Sequence, residues 1–180
     1  MARKVALLRG INVGRNNRLP MPRLRELMES LGYENVETLL QSGNVAFASG
    51  AAASESERRI AEALRKQDGL EVPVLVRTRA QLAAVVKRNP LRDHASNPKL
   101  HHVVFLSERP DAKRVRAVDP ERYRPELFAQ HGREIYVWWP DGAHRAKLTH
   151  GFWERTLGVT ATARNWNTVE KLLELTGRPG

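Results

Sequence analysis

The stretch VALLRGINVG, residues 5–14, decides the fold of this chain, because an apolar strand runs there into a loop of glycine, asparagine and arginine. A strand is predicted over residues 4–9 and a loop over residues 10–19, whose glycines permit positive φ. Pro20 and Pro22 then favour the first turn of a helix, where proline has no hydrogen-bonded N–H to lose. The chain is therefore expected to open with a strand, a polar loop and a helix.

The segments that follow predict the order βαββαβ for the first half of the chain. This is the order of a ferredoxin-like unit, in which two split βαβ motifs form one antiparallel sheet. The remaining elements of this half are a hairpin of strands 36–40 and 44–48 joined through residues 41–43, a helix that Ser54 and Glu57 begin as a capping box, and a strand at 72–77.

The same order of elements is predicted again in the second half. The elements there are strand 103–107, helix 111–118, hairpin strands 123–129 and 134–139, helix 148–157, strand 160–164 and a last helix capped by Asn167 and Glu170. Between the halves, Thr78 and Gln81 form a second capping box for a helix that ends at Asn89. Residues 39–43 also echo residues 128–132 locally.

We therefore predict an α+β protein of tandem ferredoxin-like halves with antiparallel sheets and a C-terminal helix. Residues 1–78 are expected to form the N-terminal subdomain, residues 79–100 a helix and linker, and residues 101–180 the C-terminal subdomain with the terminal helix. One continuous sheet is the alternative.

The composition sets limits on the function. A net charge of +10 and a pI of about 10.6 favour contact with polyanions, although arginine- and alanine-rich codon usage would give the same charge without a partner. The absence of cysteine excludes disulfides, thiol nucleophiles and thiolate metal sites. No apolar run is long enough to cross a bilayer, and the apolar residues before Arg9 are too few for a signal peptide. A cytoplasmic protein with no membrane partner is expected.

The motifs of metal and nucleotide enzymes are missing from the sequence. The six histidines are scattered and form no helical metal pair with a carboxylate, so no metal is expected. The spacing of Gly10 and Gly14 matches neither the Walker loop nor the dinucleotide fingerprint, and no Gly-x-Ser-x-Gly elbow occurs. No cofactor is therefore predicted, and no general base is evident for catalysis.

The topology predicts one convergence of polar groups. In a ferredoxin-like half, the end of the first strand lies beside the start of the third, and glycine N–H groups and a helix N-terminus there suit an anion such as a phosphate or carboxylate. In the alternative interpretation, Asn and Ser satisfy the turns and the arginines are solvated. The predicted rim consists of Arg9, Asn12, Gly14, Arg15, Gln41, Ser42 and Asn44, with Arg18 in the adjoining loop.

The segment with Arg164, Asn165 and Trp166 is a second candidate for ligand contact. Trp166 would stack on a ring while Arg164 pairs with an anion. The alternative is structural, with Asn167 as a helix cap and Trp166 packing on the following turn.

Three motifs, LLRGINVG at 7–14, QSGNV at 41–45 and RNWNTVEKL at 164–172, resemble the bacterial family called domain of unknown function 1697. The resemblance covers nearly the whole chain and implies a two-part fold of ferredoxin-like halves. Arg15 stands where that family commonly has a second glycine. The resemblance implies no activity, cofactor or catalytic residue.

Three functions are compatible with these observations. The first is binding of a small anionic or nucleotide-like ligand at the rim formed by the 9–15 loop and the 41–44 turn, completed by Arg164. The second is non-specific nucleic-acid binding through a basic surface. The stacking aromatics that RNA-recognition modules carry on strands one and three are missing, so sequence-specific readout of that type is not expected. The third is an enzyme of unknown reaction, which lacks an identifiable base.

Overall fold

The computed structural model describes residues 1–178, which fold as an α+β protein with two four-stranded antiparallel sheets. The chain divides into two compact units, Met1–Ala84 with the segment from Lys171 onward, and Val85–Glu170. The predicted fold class of two ferredoxin-like halves with a C-terminal helix is confirmed. None of the helices in residues 1–178 is long and apolar enough to span a membrane.

The first sheet brings the end of its first strand to the start of its third. The elements are β1 (Ala2–Leu8), α1 (Met21–Ser30), β2 (Glu34–Leu39), β3 (Asn44–Ser49), α2 (Ala53–Asp68) and β4 (Val74–Thr78). The strand order is β2-β3-β1-β4, and β1 is antiparallel to both neighbours. Because the register runs from Ala2 opposite Ser49 to Leu7 opposite Asn44, the 9–20 loop and the 40–43 turn leave the sheet at the same end.

The period-2 alternation of β1 and β3 places one face of each strand in the core of this unit. Ala6 and Leu8 alternate with residues on the other face, as do Val45 and Phe47, and all four are fully buried. The same cluster contains the apolar stripes of the two helices, including Leu24, Leu27, Ile60 and Leu64. The sheet and these helices therefore form a fixed base for the loops at that end of β1.

The second unit repeats the topology. Its elements are β5 (His101–Leu106), α4 (Ala112–Arg116), a short 3-10 helix (Pro120–Tyr123), β6 (Leu127–His131), β7 (Glu134–Trp138), α5 (His150–Leu157) and β8 (Ala161–Asn165). The strand order is β6-β7-β5-β8, again with the first strand of the unit antiparallel to both neighbours. The predicted strand 123–129 is wrong at its start, because the 3-10 helix capped by the Asp119 side chain precedes it. Helices α3 (Arg79–Arg88) and α6 (Trp166–Gly177) follow the last strand of each sheet.

Equivalent backbone hydrogen bonds support the internal repeat. In each unit, the last residue of the first strand and the residue after it donate their N–H groups to the neighbouring strands or turns. The four bonds are Leu8 to Gly43 (2.8 Å), Arg9 to Pro73 (2.9 Å), Leu106 to Arg133 (2.9 Å) and Ser107 to Thr160 (2.9 Å). Both sheets therefore hold the exit of their first strand in the same way.

The local echo between residues 39–43 and 128–132 does not follow this equivalence. The bonds place Gly43 opposite Arg133 in the repeat, one residue away from the alignment that the echo predicts. The two hairpins also differ in length, with four residues between β2 and β3 and two between β6 and β7. The echo therefore does not match the structural alignment of the two hairpins, although the order of the elements repeats.

One of the predicted capping boxes is wrong and one is confirmed. Helix α2 has Ala52 at its N-cap with no side-chain cap, and the Glu57 carboxylate instead accepts the Val76 N–H at 2.7 Å. The carboxylate that would complete the capping box therefore accepts a hydrogen bond from strand β4 instead. In the second box, Thr78 N–H donates to Gln81 Oε1 at 2.9 Å and Gln81 N–H donates to Thr78 Oγ1 at 3.2 Å.

The cap of the last helix is Asn165 and not Asn167. Helix α6 begins at Trp166, and the Thr168 N–H donates to Asn165 Oδ1 at 2.9 Å. The last residue of β8 therefore also caps the helix, which leaves no linker between strand and helix.

Candidate functional site

The loop between β1 and α1 is shaped by residues with positive φ and held by one asparagine. Gly10 (φ +70°) and Gly14 (φ +63°) flank Asn12, whose own φ of +56° is a value that asparagine adopts more readily than most residues. Asn12 Nδ2 donates to the backbone oxygens of Leu19 at 2.9 Å and Gln41 at 2.7 Å, and its Oδ1 accepts the Leu19 N–H at 2.8 Å. The Asn12 amide therefore joins the loop to the turn after β2.

The turn after β2 packs against the end of β1. Gly43 has φ +75°, and a Cβ there would lie 2.8 Å from the Cβ of Leu8. Asn44 is fully buried and its Nδ2 donates to Ser42 Oγ at 2.9 Å and to the backbone oxygen of Leu39 at 3.2 Å. Ser42 and Asn44 thus stabilise the turn that presents the neighbouring Gln41.

A cavity of about 440 Å³ lies where the loop and the turn meet. Its volume is within the range of small-molecule sites. Arg18 and Gln41 are exposed, and within the described residues neither side chain has a hydrogen-bond or ion-pair partner. The lining residues are Asn12, Gly14, Arg18, Leu19, Pro20 and Gln41.

The charges around the cavity are positive. The loop from Arg9 to Pro20 carries three arginines and no acidic residue. Pro20, which lines the cavity, is the N-cap of α1, and that helix has no side-chain cap and no acidic residue in its first turn. The partial positive charge of a helix N-terminus adds to that of the Arg18 guanidinium. An anion is the ligand that this arrangement favours.

The equivalent connection in the second unit is shorter and has no excess of basic residues. The connection between β1 and α1 has twelve residues, whereas the one between β5 and α4 has five. The short connection contains Glu108 and Asp111, and the Asp111 carboxylate caps α4 by accepting the Lys113 N–H at 2.8 Å. The fold therefore does not need a long basic loop at this point, and the loop of the first unit is an addition to it.

The structure brings together only part of the predicted rim. Asn12, Gly14 and Gln41 line the cavity, and Arg18, which the sequence placed in the adjoining loop, lines it with them. Ser42 lies in the turn, and Asn44 is the first residue of β3 and donates to Ser42. Arg15 is exposed and Arg9 is half-buried beside the exit of β1, and both lie outside the lining.

The C-terminal candidates have contacts within the second unit. Arg164 is buried, and its Nη1 donates to Thr162 Oγ1 at 2.7 Å and to the backbone oxygen of Ala163 at 2.8 Å. Burial lowers the pKa of Arg164 to about 10. Asn165 caps α6, and the Trp166 ring is stacked on a histidine of the protein itself.

One residue that sequence reasoning missed is the counterpart of Arg164 in the first unit. Arg77 is fully buried and lies opposite Val5 on β1, as Arg164 lies opposite Val103 on β5. Both arginines stand one residue before the residue that caps the next helix, Thr78 or Asn165. The signal in the sequence is this shared order of arginine, capping residue and helix.

Two adjacent histidines at the start of β5 are held neutral. His101 is stacked on Trp166 with ring centroids 4.5 Å apart, and His102 lies on Trp139 at 4.2 Å. Burial lowers the pKa of each histidine to about 4. Across residues 1–178, no group of three or more His, Asp or Glu side chains is arranged to hold a metal ion.

The Asn12→Ala variant tests the joint between loop and turn. We expect it to lower the free energy of unfolding by about 2 kcal/mol, because the buried Leu19 N–H loses its acceptor and alanine is strained at positive φ. Urea denaturation measures the change. Asn16→Ala, in an exposed part of the same loop, serves as the control and should be neutral. If the two variants were equally stable, the role of Asn12 in holding the loop to the turn would be wrong.

Comparison with known proteins gives a family and a fold. The family model described as protein of unknown function (DUF1697) matches residues 1–136. The solved structure of a conserved bacterial protein from Streptococcus pneumoniae is similar, with a TM-score of 0.75 and 20% sequence identity over 97% of this chain and 98% of that chain. At this identity the likeness extends to the fold. No curated protein matches the chain.

Proposed function

We propose that this chain, which belongs to the DUF1697 family of proteins of unknown function, binds a small anionic ligand in the cavity lined by Arg18 and Gln41. The proposal concerns a ligand of phosphate or carboxylate type. It rests on residues of the first unit alone.

The difference between the two units is the observation that carries the proposal. Both units hold the exit of their first strand by the same backbone hydrogen bonds, but only the first places a twelve-residue basic loop there. A long loop costs conformational entropy to order, and here the Asn12 amide orders it. Ordered loops on a rigid sheet are common positions for binding residues, so the loop is best explained by a ligand.

The chemistry of the lining supports an anion over a cation or a neutral ligand. The Arg18 guanidinium offers several N–H donors and a permanent positive charge, and the positive end of the α1 dipole lies at the lining residue Pro20. The lining contains no carboxylate to bind a cation. The Asn12 amide supports the wall through its three backbone hydrogen bonds.

Titration calorimetry with sodium phosphate and pyrophosphate at low ionic strength tests the proposal. We expect Arg18→Glu to weaken binding at least ~10-fold, because it removes a charge-assisted hydrogen bond and introduces repulsion. Arg109→Glu makes the same change of charge at an exposed position outside the cavity and is the matched control. Equal losses in the two variants would show that the net charge, and not the cavity, attracts anions.

A general attraction to polyanions has a separate signature. Binding of nucleic acid through a basic surface would weaken steeply with salt and would respond equally to both arginine variants. A ligand bound in the cavity should instead remain sensitive to the Arg18 substitution when the salt concentration is raised.

A further inference from the structure

A cavity of about 200 Å³ lies in the second unit, between α5 and the segment that contains α4 and the 3-10 helix. It is smaller than the ~300–1,000 Å³ typical of sites for drug-sized ligands. At about 30 Å³ for each water molecule, its volume corresponds to roughly seven waters, which suits a small metabolite. Its lining includes Arg114, Val118, Asp119, Arg122, Tyr123 and Phe152.

Hydrogen bonds hold two walls of this cavity in place. Arg114 Nη1 donates to the backbone oxygen of Leu157 at 3.1 Å, which ties α4 to the end of α5. Because the carbonyl end of a helix carries a partial negative charge, the Arg114 charge is offset within the protein. Asp119 Oδ1 accepts the Glu121 N–H at 3.0 Å and caps the 3-10 helix. The lining is therefore formed before any ligand binds.

Two opposite charges in the lining have no ion-pair partner among residues 1–178. The Arg122 guanidinium has no hydrogen bond, and the Asp119 carboxylate has only its bond to the helix N–H. An anion bound at Arg122 would be repelled by Asp119, and a cation bound at Asp119 would be repelled by Arg122. A ligand that carries both charges avoids both repulsions.

Apolar side chains form another part of the lining. Val118 is buried, and Tyr123 and Phe152 are half-buried. The two rings lie edge to face with centroids 5.3 Å apart, an arrangement that stabilises an aromatic pair. The cavity therefore presents an apolar wall beside the two charged groups.

We infer that this cavity binds a free α-amino acid with an apolar side chain, such as leucine. Its carboxylate pairs with Arg122 in the bidentate geometry that a guanidinium favours, and its ammonium group pairs with Asp119. Its side chain covers the apolar wall. A residue within a peptide lacks one or both of these charges, so it would leave Arg122 or Asp119 unpaired. The inference concerns the second unit alone and is independent of the anion site proposed above.

Titration calorimetry at pH 7 with leucine and three analogues tests the inference. The analogues are leucinamide, N-acetylleucine and glycine, which lack the carboxylate, the positive charge and the apolar side chain in turn. We expect leucine to bind at least ~10-fold more tightly than each of them, because each loses one of the three contacts. If any analogue bound as tightly as leucine, the corresponding contact would be absent and the inference would be wrong.

Substitutions that preserve the fold test the two charged contacts from the side of the protein. Asp119→Asn removes the charge but keeps a good helix cap, so the melting temperature should be unchanged while leucine affinity falls ~10-fold. Arg122→Gln, at an exposed position, should have the same effect. Asp141→Asn and Arg116→Gln make the same changes at exposed positions outside the lining and should leave leucine binding unaltered.

The outcomes separate this inference from the proposed function. If leucine does not bind, or if the control pair weakens binding as much as Asp119→Asn and Arg122→Gln, the amino-acid site is wrong. The phosphate titrations with Arg18→Glu then still decide the anion site by themselves. Conversely, leucine binding should be the same in the Arg18→Glu variant as in the unaltered protein.

Discussion

Lowering the pH from 7 to 4.5 is expected to destabilise the protein by several kcal/mol through two adjacent histidines. The pKa values of His101 and His102 are lowered to about 4 in the folded protein, mainly by burial, against 6.5 for an unperturbed imidazole. Well above pH 6.5 both imidazoles are neutral in the folded and unfolded chains, so they favour neither state. As the pH falls from 6.5 towards 4, the unfolded chain binds protons that the folded chain excludes, and stability is lost.

The size of the effect follows from the difference between the folded and unfolded pKa values. A pKa difference of 1 corresponds to about 1.4 kcal/mol, so each imidazole contributes on the order of 3 kcal/mol of destabilisation by pH 4. The geometry agrees with this direction. The buried His101 Nε2 and His102 Nδ1 have no hydrogen-bond partner among the described residues, and each ring packs on a tryptophan. A backbone hydrogen bond at Leu100 opposes the lowering of the His102 pKa only in part.

Urea denaturation at several pH values between 7 and 4.5 measures this dependence. The His101→Gln and His102→Gln variants should each show a shallower loss of stability with acid than the unaltered protein, whatever their stability at pH 7. His94→Gln, at an exposed position, is the control and should retain the full slope. A slope that survives in the double variant of His101 and His102 would assign the acid sensitivity to carboxylates.

The second large effect is expected for Gly43→Ala, which should lower the free energy of unfolding by about 3 kcal/mol. The residue has φ +75°, which costs about 1 kcal/mol or more for alanine. A Cβ would also lie 2.8 Å from Leu8 Cβ and 3.3 Å from Ile11 Cβ, so the turn or the end of β1 has to move. Overpacking of this kind in a buried region typically adds about 1–3 kcal/mol.

Gly32→Ala separates the two causes. Gly32 has φ +79°, and a Cβ added there would have no atom within 4 Å, so this position carries the backbone cost without the steric one. Chemical denaturation should therefore show a smaller loss for Gly32→Ala than for Gly43→Ala. Equal losses would mean that the turn moves away from Leu8 without cost. Because Gly43 lies two residues after Gln41, its substitution should also weaken ligand binding.

The topology could be predicted from the sequence because it depends on patterns that each element carries by itself. The apolar stripe of α1 and the alternation of Val45 and Phe47 in β3 are local, and the ferredoxin-like order then brings the 9–20 loop beside the 40–43 turn. The predicted proximity of Asn12 and Gln41 follows from that order, and their hydrogen bond of 2.7 Å is its structural counterpart.

The details in which a partner distant in the sequence replaces a local hydrogen bond could not be predicted. Glu57 has the spacing of a capping residue, yet it accepts a hydrogen bond from Val76, far away in the sequence. Asn165 and Asn167 flank the same tryptophan, and only the end of β8 decides which of them caps α6. The cavity wall likewise depends on the φ values of Gly10, Asn12 and Gly14, which no periodicity reveals.

The shared hydrogen bonds at Leu8 and Leu106 make the stability of each sheet independent of the segment that follows its first strand. They secure the exit of the first strand in both copies of the repeat, whatever segment follows it. The connection after β1 is twelve residues long and basic, and the connection after β5 is five residues long, with the same backbone hydrogen bonds at the end of the first strand. The loop between Leu8 and Met21 can therefore differ in length and charge while the hydrogen bonds that hold the end of β1 stay in place.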